Sequence, residues 1–122
     1  MEIIANDQGL YEFDIEVIGL NGTKKQLKGL IDTGSTDCVC TYKIITTLRT
    51  RPTGWEKVGT IDKPNYRTFV YSILIEFDGV NETFPVFRVS DLPDKIDMIL
   101  GMSVLSKCNL EITENKLSLE WR

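Results

Sequence analysis

The chain has 122 residues, with 14 Lys+Arg against 18 Asp+Glu and a formal net charge of −4. That length suits one domain, and 42% apolar with 26% charged residues suits a folded soluble core. No apolar run approaches the ~20 residues of a membrane span, the start Met1-Glu2-Ile3-Ile4 lacks a basic signal-peptide region, and the acidic balance argues against nucleic acid as a partner. Histidine is absent, which excludes Ser-His-Asp and Cys-His hydrolases and His-ligated zinc proteases. Cys38, Cys40 and Cys108 cannot all pair within one chain and form no CxxC, so they read as reduced, mostly buried thiols of a cytoplasmic protein. Nothing calls for a metal or cofactor, and any hydrolytic chemistry must rest on carboxylates, hydroxyls or lysines.

In chain order, Tyr11, Phe13, Ile15 and Val17 alternate with Glu12, Asp14 and Glu16, the period of a strand with one buried face. Asn21-Gly22 predicts a tight type I′ turn, and a returning strand follows from about Lys24 to Ile31. Lys24, Lys25 and Lys28 read as a solvated edge. The sequons at Asn21 and Asn81 read as turn chemistry. Weak helix signals cover Tyr42–Leu48 and Met102–Lys107. Asp78-Gly79 predicts a second hairpin turn, between Ser72–Phe77 and Thr83–Val89, and Glu114-Asn115 a third, between Leu110/Ile112 and Leu117/Leu119/Trp121. With no repeat or linker, the expectation is one all-β domain over residues 1–122, with one or two short helices.

The chemistry concentrates in Leu30-Ile31-Asp32-Thr33-Gly34-Ser35, where an apolar strand delivers a carboxylate into a tight turn. Glycine permits the bend and close approach of a ligand; the hydroxyls can donate to backbone or carboxylate oxygens. Alone, Asp-Thr-Gly is a weak signal, because all three residues are common in turns. About 65 residues later, Asp97-Met98-Ile99-Leu100-Gly101 brings large aliphatics ending in glycine.

This pairing resembles the retropepsin-like aspartic proteases, single-domain relatives of pepsin. Ile31-Asp32-Thr33-Gly34-Ser35 matches the family's catalytic loop, Ile99-Leu100-Gly101 its supporting strand, and Met102–Lys107 its short helix. Val70–Gly79 is similar to the strand leaving the family's flap, a hairpin that closes over substrate. The resemblance covers roughly residues 10 to 121 and implies a small closed, barrel-like β fold.

It also implies an aspartic endopeptidase. Such chemistry needs two carboxylates sharing a proton, and the established pattern of aspartic proteases is carried over here. With one Asp-Thr-Gly in the chain, activity requires a two-fold homodimer in which each copy gives Asp32. By resemblance, Thr33 braces the loops across the dimer axis and the Gly34 carbonyl holds an extended peptide substrate. Ser35 hydrogen-bonds the Asp32 carboxylate. The flap tip falls at Gly59, Thr60, Ile61 and Asp62, with Ile61 meeting its counterpart over the ligand. Leu110–Trp121 forms the terminal strands, part of which pairs with the other subunit. The natural substrate is an extended, largely apolar peptide.

Departures from the viral pattern bear on turnover and assembly. The flap tip carries Thr60, Asp62, Lys63 and Pro64 in place of glycines. Thr36 and Met102 stand where viral members place an acidic residue and an arginine that pair. The altered flap motivates a second reading, a catalytically weak peptide-binding or dimerisation module of the same fold.

Overall fold

Alternating sequence becomes alternating burial in the computed structural model, which describes residues 1–19, 21–58 and 66–122. In β2 (Glu12–Ile18), which follows a short β1 (Glu2–Ile4), Phe13, Ile15 and Val17 are buried while Asp14 stays exposed. β3 (Lys24–Ile31) returns antiparallel with Leu27 opposite Ile15, over the range the sequence predicts. The connection is longer than a two-residue turn. The Gly19 N–H donates to the Thr23 carbonyl, and among the described residues of this loop only Gly22 takes a positive φ, 83°. Asn21 serves through its side chain, its Oδ1 accepting the Thr23 N–H at 3.2 Å.

β4 (Cys38–Thr41) runs directly into α1 (Tyr42–Thr47), which turns Ile44 and Ile45 into the core. β5 (Gly54–Val58) pairs with β6 (Tyr66–Phe77), and β6 with β7 (Val80–Val89). The β6–β7 turn is Asp78-Gly79, with φ of 53° and 76°, the two left-handed residues a type I′ hairpin requires. β6 starts at Tyr66, earlier than the predicted Ser72, because its first part belongs to the hairpin with β5.

A single 3-10 turn (Pro93–Lys95) precedes β8 (Met98–Leu100), α2 (Met102–Leu105), β9 (Cys108–Thr113) and β10 (Lys116–Trp121). α2 ends short of the predicted Lys107, whose carbonyl already accepts the Arg122 N–H at 3.1 Å in line with the following strands. Glu114, at φ 57°, sits in the turn predicted between β9 and β10.

One sheet has the order β2-β3-β8-β4-β7-β6-β5, and β2–β6 pairing closes six of its strands into a barrel with β5 on its margin. The second sheet is β1-β10-β9. The two share one core: Leu117 and Leu119 of β10 pack in the same cluster as Ile15, Ile73 and Val86. Trp121 joins them further, its Nε1 donating to the Phe77 carbonyl at 3.1 Å while its ring stacks on Phe77 at 4.6 Å. Burial of each large aliphatic contributes about 1.5–3 kcal/mol, so the terminal sheet stabilises the barrel as well as itself.

Cys38, Cys40 and Cys108 are unpaired and buried. Burial raises all three thiol pKa values, and with the nearby Asp97 charge pushes Cys40 up to about 12. No helix among the described residues is long and apolar enough to cross a membrane.

Candidate active site

β3 ends with Ile31 in the core, and the chain then turns at the surface. The Asp32 N–H donates to the Leu100 carbonyl at 3.1 Å, fixing Asp32 against β8. Its carboxylate folds back over the turn, where Oδ1 accepts the Gly34 N–H at 2.9 Å, and the Ser35 N–H donates to the Asp32 carbonyl at 3.2 Å. Asp32 is half-buried, whereas Thr33 and Gly34 project at the tip. A carboxylate with one oxygen held by a backbone donor and access to solvent is oriented and available for proton transfer.

The loop is held from behind by the segment after β8. A Cβ on Gly101 would lie 2.7 Å from the Ser35 carbonyl oxygen and nearer still to that of Asp37, so only glycine lets the two chains approach. The first N–H groups of α2, which have no partner within the helix, are used here. Met102 donates to the Ser35 carbonyl at 2.8 Å and Ser103 to that of Thr36 at 2.9 Å.

The Ser35 hydroxyl departs from the sequence expectation. It donates to the Asp37 carbonyl at 2.8 Å, while the carboxylate oxygen it was expected to serve accepts the Gly34 N–H. Ser35 therefore closes the exit of the turn and acts on Asp32 only through the backbone.

β8 lies between β3 and β4, parallel to one and antiparallel to the other. Leu30, Ile99 and Val39 fall in register across the three strands. All three are half-buried, while their neighbours Ile31, Leu100, Cys38 and Cys40 point into the core. The row continues through Phe87 of β7 to Val70 of β6, both buried, and reaches Gly54 of β5. An apolar strip thus starts one residue before Asp32 and runs to the base of the β5–β6 hairpin. Leu100 supports from the core, Ile99 lines the strip, and Gly101 cradles the loop.

Leu30, Val39, Phe87 and Val70 were not singled out as site residues in the sequence. The signal was Cys38-Val39-Cys40, three consecutive apolar residues in a short strand, which implies cover on both faces. Gly59, Thr60, Ile61 and Asp62 lie outside the described residues; the strands flanking them pair from Gly54 opposite Val70 to Val58 opposite Tyr66. Among the described residues no cluster of His, Cys, Asp or Glu could hold a metal ion.

Residues 16–104 match the family model for aspartyl proteases, a span that contains the Asp32 loop, the strip, Gly101 and the start of α2. The chain belongs to the aspartyl protease family. Its fold is that of retropepsin-like proteases. A retropepsin-like aspartic protease from Rickettsia conorii superposes with a TM-score of 0.70 at 21% identity, over 99% of this chain and 90% of that one. EIAV protease complexed with the inhibitor HBY-793 gives 0.65 at 21% identity, over 85% and 92%. The protease of simian foamy virus gives 0.53 at 18% identity, over 77% and 92%. No curated protein sequence matches the chain.

Proposed function

We propose that the protein is a homodimeric aspartic endopeptidase whose single active site is shared by two chains, each giving Asp32. The observation that carries this reading is the Asp32 loop: a half-buried carboxylate at the end of a core strand, oriented by the Gly34 N–H and backed by Gly101 and α2. One such carboxylate cannot serve as both acid and base, and the chain has one such loop. Two copies related by a two-fold axis supply the pair.

Two carboxylates in contact do not both ionise readily, so the pair shares one proton. The ionised Asp32 accepts a proton from the attacking water while the protonated one donates to the scissile carbonyl oxygen, giving a neutral tetrahedral diol. Collapse returns protons through the same pair: a carboxylate takes one from the diol and the leaving amine receives one, so the pair ends with a single proton. Thr33, exposed at the loop tip, braces the facing loop. The Gly34 carbonyl accepts from the substrate backbone, and Ser35 fixes the turn.

The strip of Leu30, Ile99 and Val39 supports an apolar peptide as the substrate class. An extended peptide presents alternate side chains to one face, and this face is apolar, so cleavage falls between or beside large apolar residues. Three buried, unpaired thiols fit a reducing, cytoplasmic setting.

Cleavage of a mixed peptide library from acid to neutral pH, with the native chain and Asp32→Asn, tests the reading. Cuts beside apolar residues that vanish in the variant support it. A native chain that binds peptide but cuts nothing at any pH would leave a binding module of the same fold.

A further inference from the structure

We propose that Tyr42, Trp55, Phe69 and Arg88 form a second peptide-contact surface, outside the strip, that takes an acidic segment flanking the apolar stretch of the substrate. This rests on the endopeptidase reading above, which supplies the peptide.

The surface begins where the inner face of the barrel runs out. Tyr71 and Val86, paired across β6 and β7, pack in the core. Two residues further toward the strand ends, Phe69 and Arg88 lie on that same face by alternation. Phe69 is 40% exposed and Arg88 half-buried, so the face has reached solvent there. Trp55 of β5 stands opposite Phe69 in the register and is 52% exposed, and Tyr42, the first residue of α1, is 53% exposed. Three large rings meeting water in one place stand out in a chain that buries Phe13, Tyr71, Phe77, Phe84 and Phe87.

Arg88 organises the cluster. Its Cζ lies 4.9 Å from the ring centroid of Tyr42 and 4.9 Å from that of Phe69. Such contacts hold the guanidinium without using its N–H groups. Among the described residues no carboxylate pairs with Arg88. The Thr68 hydroxyl donates to the Arg88 carbonyl at 2.6 Å, which fixes the backbone beneath the side chain. A cation steadied by two rings, with its donor fork open, is arranged to receive a carboxylate.

Charge selects an acidic occupant. Residues 42–69 hold six Lys+Arg against two Asp+Glu, in a chain whose net charge is −4. Lys43 beside Tyr42, and Arg49 and Arg51 after α1, are exposed. Thr53, two residues after Arg51, donates its N–H to the Val70 carbonyl at 2.8 Å, which brings this cationic loop to the edge of the cluster. A local excess of one charge raises the concentration of its counter-charge there.

Continuity with the strip selects a peptide. Val70 and Phe87 carry the strip on one face of β6 and β7, and Phe69 and Arg88 are their immediate neighbours on the other. Gly54, where the strip meets β5, is likewise followed by Trp55. β5 is the marginal strand of its sheet, so a chain leaving the strip has one strand to cross before it meets the rings. A single-stranded nucleic acid also suits rings and cations, but it lacks the apolar anchor in the strip and is opposed by the net negative charge of the chain.

Peptides with one apolar stretch flanked by a run of glutamates, of lysines, or of glycine and serine test the surface. For the native chain the glutamate flank should lower KM about fivefold relative to the neutral flank, and the gain should shrink as ionic strength rises. In Arg88→Gln the ratio of the two KM values should fall toward one. In Arg88→Glu the lysine flank should become the preferred one, an inversion that loss of folding cannot produce. No preference for glutamate in the native chain, or a preference that both variants keep, overturns the proposal.

A second measurement needs neither activity nor a change at Arg88. A glutamate-rich peptide without an apolar stretch, titrated into Asp32→Asn protein, should shift the NMR signals of Trp55, Phe69 and Arg88. Shifts confined to other residues, or none, overturn the surface. A single-stranded oligonucleotide that produces the same shifts at lower concentration overturns the peptide assignment. A native chain that cuts no peptide but shows the glutamate shifts at Arg88 overturns the endopeptidase and leaves an acidic-peptide surface standing.

Discussion

Asp32 is oriented by one backbone bond, and a neutral amide can keep that bond. The Gly34 N–H needs an acceptor at Oδ1, which asparagine supplies. Asp32→Asn should therefore melt within a few degrees of the native chain while its peptide cleavage falls by ~10²–10⁴-fold. Gly101→Ala is the opposite case. Its new methyl group meets the Ser35 and Asp37 carbonyls, which are backbone and cannot rotate away. About 3 kcal/mol of stability should be lost, read as a lower denaturation midpoint, with activity lost alongside as the loop is displaced. Ser35→Ala separates two roles. Because the hydroxyl bonds the Asp37 carbonyl, removing it should cost about 1 kcal/mol and leave the acidic limb of the pH–rate profile in place; a shifted limb would mean that it acts directly on the carboxylate.

Cys40 gives a pH dependence of stability with a definite sign. Burial pushes its folded pKa up to about 12, above the 9.0 of a free thiol. Below pH 9 the thiol is protonated in both states and the full stability is present. From about 9 toward 12 the unfolded chain loses this proton while the folded one keeps it, so stability falls as pH rises. Cys40→Ala should flatten that alkaline fall in denaturant titrations while costing about 1 kcal/mol at neutral pH.

At the scale of elements, the terminal sheet is a working part of the barrel. Trp121→Ala removes the stack on Phe77 and the bond to its carbonyl, and should cost about 3 kcal/mol in thermal or denaturant unfolding. Trp121→Phe, which keeps most of the ring contact, should cost about 1 kcal/mol. Strands with long alternation were legible from the residues alone. β2 follows from its period of two, β3 from the Asn21-Gly22 turn before it, and the Asp78-Gly79 and Glu114-Asn115 turns from the turn residues they carry. β1, β4 and β5 were not, since three to five residues carry too little periodicity and β5 reads Gly54-Trp55-Glu56-Lys57-Val58. The loop and Gly101 were legible as a motif. The strip was not, because Leu30, Val39 and Ile99 come from distant segments and meet only when β8 enters between β3 and β4. The Ser35 partner was missed for a local reason: the competing Gly34 N–H belongs to backbone, which carries no side-chain signature.

At the scale of the molecule, the proposed function requires one site made by two chains. On the proposed function, a protomer with its own barrel, terminal sheet and single Asp32 loop carries half of a catalytic pair. The most direct test titrates Asp32→Asn chains into a fixed amount of native protein and follows peptide cleavage after subunit exchange. If each site needs both carboxylates, activity falls to about half at an equal ratio and toward zero in excess, as native chains are captured in mixed dimers. Activity that does not fall, staying level or rising toward twofold as mixed dimers form, would show that one Asp32 suffices and would contradict the shared site.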